Sequence, residues 1–134
     1  MKIKIQLIYC LTISLFLICS CKKNNDKPSS PSLVGKWSLV NENIIDVENG
    51  IGVDTINYTG TPADYVDFRS DHKVYSSVAT ITDTSAYQIL NNNKVVIDID
   101  TFDIQSLTAT SASLYSKVFD DDSTYSKITL NLKR

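Results

Sequence analysis

The chain has 134 residues, enough for one domain, with 13 basic and 15 acidic residues and a formal net charge of −2. A mildly acidic chain with only two arginines lacks the clustered positive charge that a nucleic-acid backbone requires, so we expect no nucleic-acid partner. The three cysteines, Cys10, Cys19 and Cys21, all precede residue 22, which excludes a disulfide framework or a paired-cysteine metal site in the rest of the chain.

The first twenty residues have the pattern of an export signal. Lys2 and Lys4 precede a mostly apolar run from residue 5 to residue 18, which is shorter than the ~20 residues that a membrane-spanning helix needs. The sequence therefore predicts a cleaved signal peptide over residues 1–20, with an uncleaved membrane anchor as the alternative. Its removal leaves 11 basic against 15 acidic residues, a formal charge of −4.

Ile18-Cys19-Ser20-Cys21 resembles the lipobox of bacterial lipoproteins, in which an aliphatic, a tolerant and a small residue precede a cysteine. The resemblance implies that a signal peptidase cuts between Ser20 and Cys21, and that Cys21 carries a diacylglyceryl group and an N-acyl chain. Several acyl chains give the stable membrane attachment that one chain does not. The implied location is the cell envelope of a Gram-negative bacterium, in the outer membrane, on either its periplasmic or its surface face. A conventional secretory signal with a free Cys21 thiol is the alternative.

Residues 22–32 read KKNNDKPSSPS, a polar segment with two prolines and no apolar side chain. Such a composition is typical of a linker, and a coil of this length spans roughly 20 Å. We therefore expect residues 21–32 to form the lipidated cysteine and a flexible tether.

Residues 33–134 have the pattern of β-strands throughout, because Val, Ile, Thr, Tyr and Ser predominate and apolar residues alternate with polar ones. This alternation, clearest in residues 65–69, 94–100 and 126–132, predicts antiparallel sheet with one apolar face. The predicted strands span residues 34–42, 52–58, 64–70, 73–80, 84–90, 94–100, 102–109, 112–119 and 124–133. The predicted inward-facing side chains are Val66, Phe68, Val95, Ile97, Ile99, Ile128, Leu130 and Leu132.

Turn residues separate these strands. His72 follows Ser70-Asp71 and is expected at or beside a left-handed position, which His adopts more readily than most residues. Runs of Asn at 91–93 and of Asp and Ser at 120–123 predict two further turns. Many short strands joined by tight turns are typical of a sandwich or an up-and-down barrel.

Gly35-Lys36-Trp37, in the first predicted strand, resembles the G-x-W signature of the lipocalin and fatty-acid-binding superfamily. With the lipobox and tether, it makes the chain similar to the lipocalin-like lipoproteins of the Bacteroidota. The resemblance implies an antiparallel up-and-down barrel of about eight strands over residues 33–134. In such a barrel Gly35 opens the bottom, and Trp37 packs across the closed end against Lys133 or Arg134. The chain is shorter than a true lipocalin and lacks its disulfide and C-terminal helix.

No residue pattern predicts catalysis, a metal site or a cofactor. His72 is the only histidine and has no serine or aspartate at motif spacing. Asp98 and Asp100 lack the glycine and glutamate of a calcium loop and are expected on the outer face of a strand. Asp120, Asp121 and Asp122 are expected in a solvated turn, so we predict a protein that is not an enzyme.

The long connection from residue 41 to residue 61 carries several Ile and Val residues among glycines and carboxylates. Two interpretations remain open for it: a lid over a barrel mouth, as in the lipocalin class, or one extra hairpin that covers an edge. The hairpin is slightly favoured.

Two functions are compatible with this sequence. The first is a monomeric, membrane-anchored module that binds a small apolar or amphipathic ligand, which requires an internal pocket of several hundred Å³. The alternative is a protein- or glycan-interaction module with a filled core, acting through its loops and outer face. The candidate contact residues for that alternative are the tyrosines expected to be exposed, Tyr65, Tyr75, Tyr87, Tyr115 and Tyr125.

Overall fold

The computed structural model describes residues 30–91 and 93–134. The predicted signal peptide, its cleavage site at Ser20 and Cys21, and most of the tether lie outside these described residues. The described part contains nine strands and no helix. The strands are β1 (Gly35–Glu48), β2 (Ile51–Thr59), β3 (Tyr65–Phe68), β4 (Lys73–Val78), β5 (Ile81–Asn91), β6 (Lys94–Ile97), β7 (Asp100–Leu107), β8 (Ser111–Phe119) and β9 (Thr124–Lys133).

The strands form one antiparallel sheet that closes on itself through pairing of β1 with β9. Eight strands, β1 and β3 to β9, make the closed wall, and β2 is an additional strand beside the upper part of β1. The prediction of an all-β, antiparallel barrel of about eight strands is confirmed. Consecutive pairing from β3 to β9 gives the barrel its up-and-down connectivity.

The 41–61 connection forms the extra hairpin rather than a lid. β1 continues to Glu48, six residues beyond its predicted end, and pairs with β2 from Asn41 onward. Asn49 and Gly50 make the turn with φ of 50° and 80°. Asn-Gly favours a two-residue hairpin turn, because both residues tolerate positive φ.

One end of the barrel is closed by packing around Trp37, whose side chain is 0% exposed. The indole Nε1 donates a hydrogen bond to the Leu33 carbonyl at 2.7 Å. The Arg134 guanidinium, rather than Lys133, lies 3.9 Å from the indole ring centre, and its Nη2 donates to the Val34 carbonyl at 2.6 Å. Gly35 allows this approach, because it has φ of +127° and a Cβ there would lie 2.7 Å from that Nη2.

At the opposite end of the barrel, the wall extends further along the barrel axis on one side than on the other. There β8, β9, β1 and β2 continue past the neighbouring strands as a four-stranded sheet, which we call the upper sheet (residues 41–59 and 113–131). The opposite wall, built from β4 to β7, ends lower, at the turns after Val78 and Ile97. The barrel mouth therefore lies beside the inner face of the upper sheet.

Ile99 is a wrong prediction, since its side chain is 85% exposed rather than inward-facing. β6 ends at Ile97, and Asp98 with φ of 55° begins a two-residue turn that Ile99 completes. The alternation therefore stops two residues before Ile99. For the same reason, Asp98 lies in a turn and not on a strand face beside Asp100.

The predicted turns at His72 and at residues 120–123 are confirmed. His72 has φ of 63° in the β3–β4 connection, and β8 and β9 flank the segment between Phe119 and Thr124. The Asp121 carboxylate accepts hydrogen bonds from Ser123 N and Thr124 N, both at 2.7 Å. These bonds, led by the one from Ser123 N, lower the pKa of Asp121. The Asp121 carboxylate therefore stabilises the turn in which it lies.

Asp64 joins the β2–β3 connection to the β4–β5 turn. Its carboxylate accepts hydrogen bonds from Thr61 N at 2.6 Å, Tyr58 Oη at 2.7 Å, Thr61 Oγ1 at 2.7 Å and Ala79 N at 3.0 Å. The residue is only 3% exposed. These donors, the Thr61 amide first, lower the pKa of Asp64 from 3.8 to about 2.

We expect Asp64→Asn to remove an acid-dependent part of the stability. Because the folded-state pKa is lowered, this carboxylate stabilises the fold fully above pH ~4, and its contribution is lost as pH falls toward 2. The variant should lose on the order of 10 °C in Tm at pH 7. It should also lose less further stability than the wild type between pH 4 and pH 2, measured by thermal unfolding at several pH values.

Asp71→Asn is the matched control, since Asp71 is exposed and its carboxylate accepts one bond, from Lys73 N at 3.0 Å. An Asp64→Asn variant with the wild-type pH profile would contradict this role of Asp64.

Candidate functional site

A cavity of about 300 Å³ lies inside the barrel above the packed closed end. Most of its lining is apolar, and four lining side chains are polar. The apolar residues are Leu39, Val66, Val74, Val78, Ile97, Phe102 and Leu130, and the polar ones are Glu42, Ser76, Asp83 and Ser85.

Small side chains at inward positions leave this space unfilled. Val66 on β3 pairs with Ser76 on β4, which pairs with Asp83 on β5, so these three residues form one inward row across the wall. Ser85 pairs with Val74 in the next row toward the closed end. Serine is smaller than the aliphatic residues that fill cores, so the cavity remains open beside β4 and β5.

The predicted interior residues separate into two layers. Val66, Ile97 and Leu130 line the cavity. Phe68, Val95 and Leu132 are buried in the core cluster with Trp37. The partly buried Ile128 lies beyond Leu130 on β9, toward the mouth. Below the cavity, Phe68 and Tyr87 make an edge-to-face contact with ring centres 5.1 Å apart. The interior is therefore solid toward the closed end and open toward the mouth.

Two carboxylates contribute to the cavity lining, Glu42 on β1 and Asp83 on β5. Burial raises the pKa of the Glu42 carboxyl above its ordinary value of 4.5. Asp83 is solvent-exposed, and its carboxylate accepts a hydrogen bond from Ser85 Oγ at 3.0 Å. The polar groups in the lining are thus acidic or neutral.

The inner face of the upper sheet continues the cavity wall upward. Ile44 pairs with Ile56 on one side and with Ile128 on the other, so three apolar side chains form a row just above Glu42. Two positions further along β1, on the same face, Asp46 lies directly opposite Asp54. An apolar strip with carboxylates at both ends therefore borders the mouth.

Sequence reasoning missed Glu42 because a bulge shifts the alternation. The register of β1 against β9 changes between Leu39 and Asn41, so Leu39 and Glu42 both face inward although they are three residues apart. A strict period of two from Trp37 would direct Glu42 outward.

The tyrosines do not form one surface. Tyr87 was predicted to be exposed, but it is 6% exposed, and its hydroxyl donates to the Arg69 carbonyl at 2.7 Å. Its position opposite Ile97, in the inward row of β5, explains the burial. The other four are half-buried and dispersed. Tyr65 and Tyr75 lie diagonally on the neighbouring strands β3 and β4, whereas Tyr115 and Tyr125 are four positions apart along β8 and β9.

A second cavity, of about 390 Å³, lies at the closed end between residues 30–33 and side chains of β5 and β7, among them Ile89 and Ile104. Its wall includes Ser30, where the described chain begins, and Asn91, which precedes the undescribed residue 92. Every residue that lines the barrel cavity lies in a strand that the structure describes. We therefore take the barrel cavity as the candidate site.

Within residues 30–91 and 93–134, no three His, Cys, Asp or Glu side chains are grouped so that they could hold a metal ion. The same ranges contain no helix long and apolar enough to cross a membrane. Comparison of the sequence with family models and with curated proteins gave no match.

Proposed function

We propose that this protein is a membrane-anchored, lipocalin-like lipoprotein that binds a small apolar or amphipathic ligand in the barrel cavity, without catalysing a reaction. The observation that supports this function is the cavity of about 300 Å³ between Val66, Ile97, Phe102 and Leu130. A largely apolar cavity with a few polar groups is the usual form of a small-molecule site.

The size of the cavity limits the ligand. A volume of about 300 Å³ is at the lower end of ligand sites, which span roughly 300–1,000 Å³. It corresponds to about ten water molecules at roughly 30 Å³ each. The expected ligand is therefore a compact ring or a short chain, and a two-chain lipid is too large.

The N-terminal segment meets the barrel at its closed end, where Leu33 is buried beside Trp37. A tether that ends at residue 32 would hold this end toward the membrane. The mouth, beside the upper sheet, would then face away from the anchoring bilayer. In this arrangement the ligand enters from the aqueous side.

Native mass spectrometry of the full chain, purified from a native-like extract, tests the proposed function. We expect a fraction of the protein to carry an additional mass that corresponds to one small organic molecule. A clean mass of the protein alone would contradict ligand binding and would favour the interaction module with a surface function.

Ser76→Phe should fill part of the cavity and weaken ligand binding. The new ring would occupy space beside Val66 and Asp83, so we expect ligand affinity to fall by about tenfold or more, or by over 1.4 kcal/mol. The retained ligand in native spectra measures this loss, and circular dichroism checks the fold.

Ser77→Phe is the matched control, because Ser77 pairs with Tyr65 on the outward row of the same strand. It should retain the ligand. Equal retention by the Ser76 and Ser77 variants would place the ligand outside the cavity.

A further inference from the structure

The charges of the barrel are separated by face. No lysine or arginine is among the residues that line the cavity, whereas Glu42 and Asp83 are. Three of the six described lysines make their contacts at outer positions: Lys36 lies 3.8 Å from the Tyr65 ring centre, Lys117 lies 3.6 Å from that of Tyr125, and Lys94 pairs with Asp103. The charged residues of the cavity lining are therefore acidic, although the whole chain is only mildly so.

The mouth has the same sign of charge. Asp46 and Asp54 lie opposite each other on the inner face of the upper sheet, an arrangement that is unfavourable for like charges. Asp46 accepts a hydrogen bond from Ser126 Oγ at 2.6 Å, a neutral partner. A cavity and mouth lined by one sign of charge attract ligands of the opposite sign and repel the others.

We propose that the ligand is an organic cation: a compact apolar body that carries an ammonium group, which pairs with the carboxylates of Glu42 and Asp83. This inference rests on the proposed function and names the chemical class of its ligand. The apolar body would contact Val66, Ile97 and Phe102, while the cation would lie toward β1 and β5. A fatty acid or another organic anion would be disfavoured.

The lining distinguishes an organic cation from a metal ion. Calcium takes six to eight oxygen ligands. The cavity offers two carboxylates and two serine hydroxyls, among seven apolar side chains. An ammonium group needs only one or two acceptors when an apolar body supplies the remaining contacts.

The partial burial of the Glu42 carboxylate also supports a cationic ligand. Burial raises its pKa, so the unliganded barrel holds a carboxylate at an energetic cost. A bound ammonium would offset that cost with a charge-assisted hydrogen bond, which is stronger than a neutral one. The carboxylate thus lowers the stability of the free protein and strengthens the binding of a cation.

Three probes with the same phenylbutyl body and different heads test this inference: 4-phenylbutylammonium, 4-phenylbutanol and 5-phenylpentanoate. Equilibrium dialysis against the full chain in lipid nanodiscs, with empty nanodiscs subtracted, measures their affinities. We expect the ammonium to bind about tenfold more tightly than the alcohol, and the carboxylate to bind most weakly.

Glu42→Gln should remove most of the preference for ammonium over alcohol while alcohol binding remains. The matched control is Glu48→Gln, which makes the same change on β1 at an exposed position outside the cavity lining. It should keep the tenfold preference. Since Glu42→Gln also removes a partly buried charge, we expect its Tm at pH 7 to equal or exceed that of the wild type.

The outcomes separate the two proposals. Binding of the alcohol with no preference for the ammonium, or a preference for the carboxylate, would overturn the cationic ligand and leave the proposed function standing. A preference for ammonium that survives Glu42→Gln would also overturn it. If none of the three probes binds, both proposals fail.

Discussion

Trp37→Ala is expected to lower the free energy of unfolding by about 3–5 kcal/mol. The indole is completely buried, and its Nε1 hydrogen bond to Leu33 and its contact with the Arg134 guanidinium hold the closed end together. Alanine would leave a large cavity and remove both interactions. Because domains of this size are stable by only about 5–15 kcal/mol, the variant should lose a large fraction of its stability in urea unfolding.

Phe119→Ala provides the comparison. Phe119 is also aromatic and in a strand, but it is 59% exposed beside Tyr125 and Lys117. Its loss should cost at most about 1 kcal/mol. Equal costs for the two variants would show that Trp37 does not close the barrel.

Gly60→Ala is expected to be the second most destabilising change, with a cost of about 3 kcal/mol or more. A Cβ at this position would overlap the carbonyl group of Leu39. The clash is with backbone, and Gly60 N also donates to the Val40 carbonyl at 2.9 Å, so the segment cannot move without breaking that bond. The bulge that brings Glu42 into the cavity lies at the same point, between Leu39 and Asn41.

Gly52→Ala is the control for the loss of a glycine. A Cβ at Gly52 would meet only Ile45 Cγ2, at an ordinary 3.7 Å. This change should be neutral or slightly stabilising, because alanine restricts the unfolded chain more than glycine does. Urea unfolding of both variants measures the difference, and a harmless Gly60→Ala would contradict the close approach of the two chain segments.

The barrel was predictable from the sequence because its strands carry a clear alternation. Val66 and Phe68, and likewise Leu130 and Leu132, are two residues apart and face the interior in the structure. Turn residues such as His72 were also predictable, since their backbone preferences are local.

Features that depend on contacts between strands were not predictable in the same way. The bulge after Leu39 is set by the pairing of β1 with β9, more than 80 residues away in sequence, and it alone brings Glu42 inward. The unfilled space is likewise a property of the row Val66, Ser76 and Asp83, whose members come from three strands. Alternation within one strand reveals neither.

Two local features of the sequence indicate strand ends that the alternation does not. Asn49-Gly50 is a strong hairpin signal, which would have extended β1 to Glu48. The alternation in residues 94–100 predicts Asp98 in a strand, although aspartate readily adopts the positive φ that ends β6 there. Recognising that turn would have removed Ile99 from the predicted interior.

A crystal structure of the protein soaked with 4-phenylbutanol tests the central claim, that the upper barrel is an open ligand site, most directly. We predict electron density for one probe inside the barrel, with its phenyl ring within about 4.5 Å of Val66, Ile97 and Leu130. A barrel whose side chains meet and fill this space, or a probe bound only on the outer surface, would contradict the account.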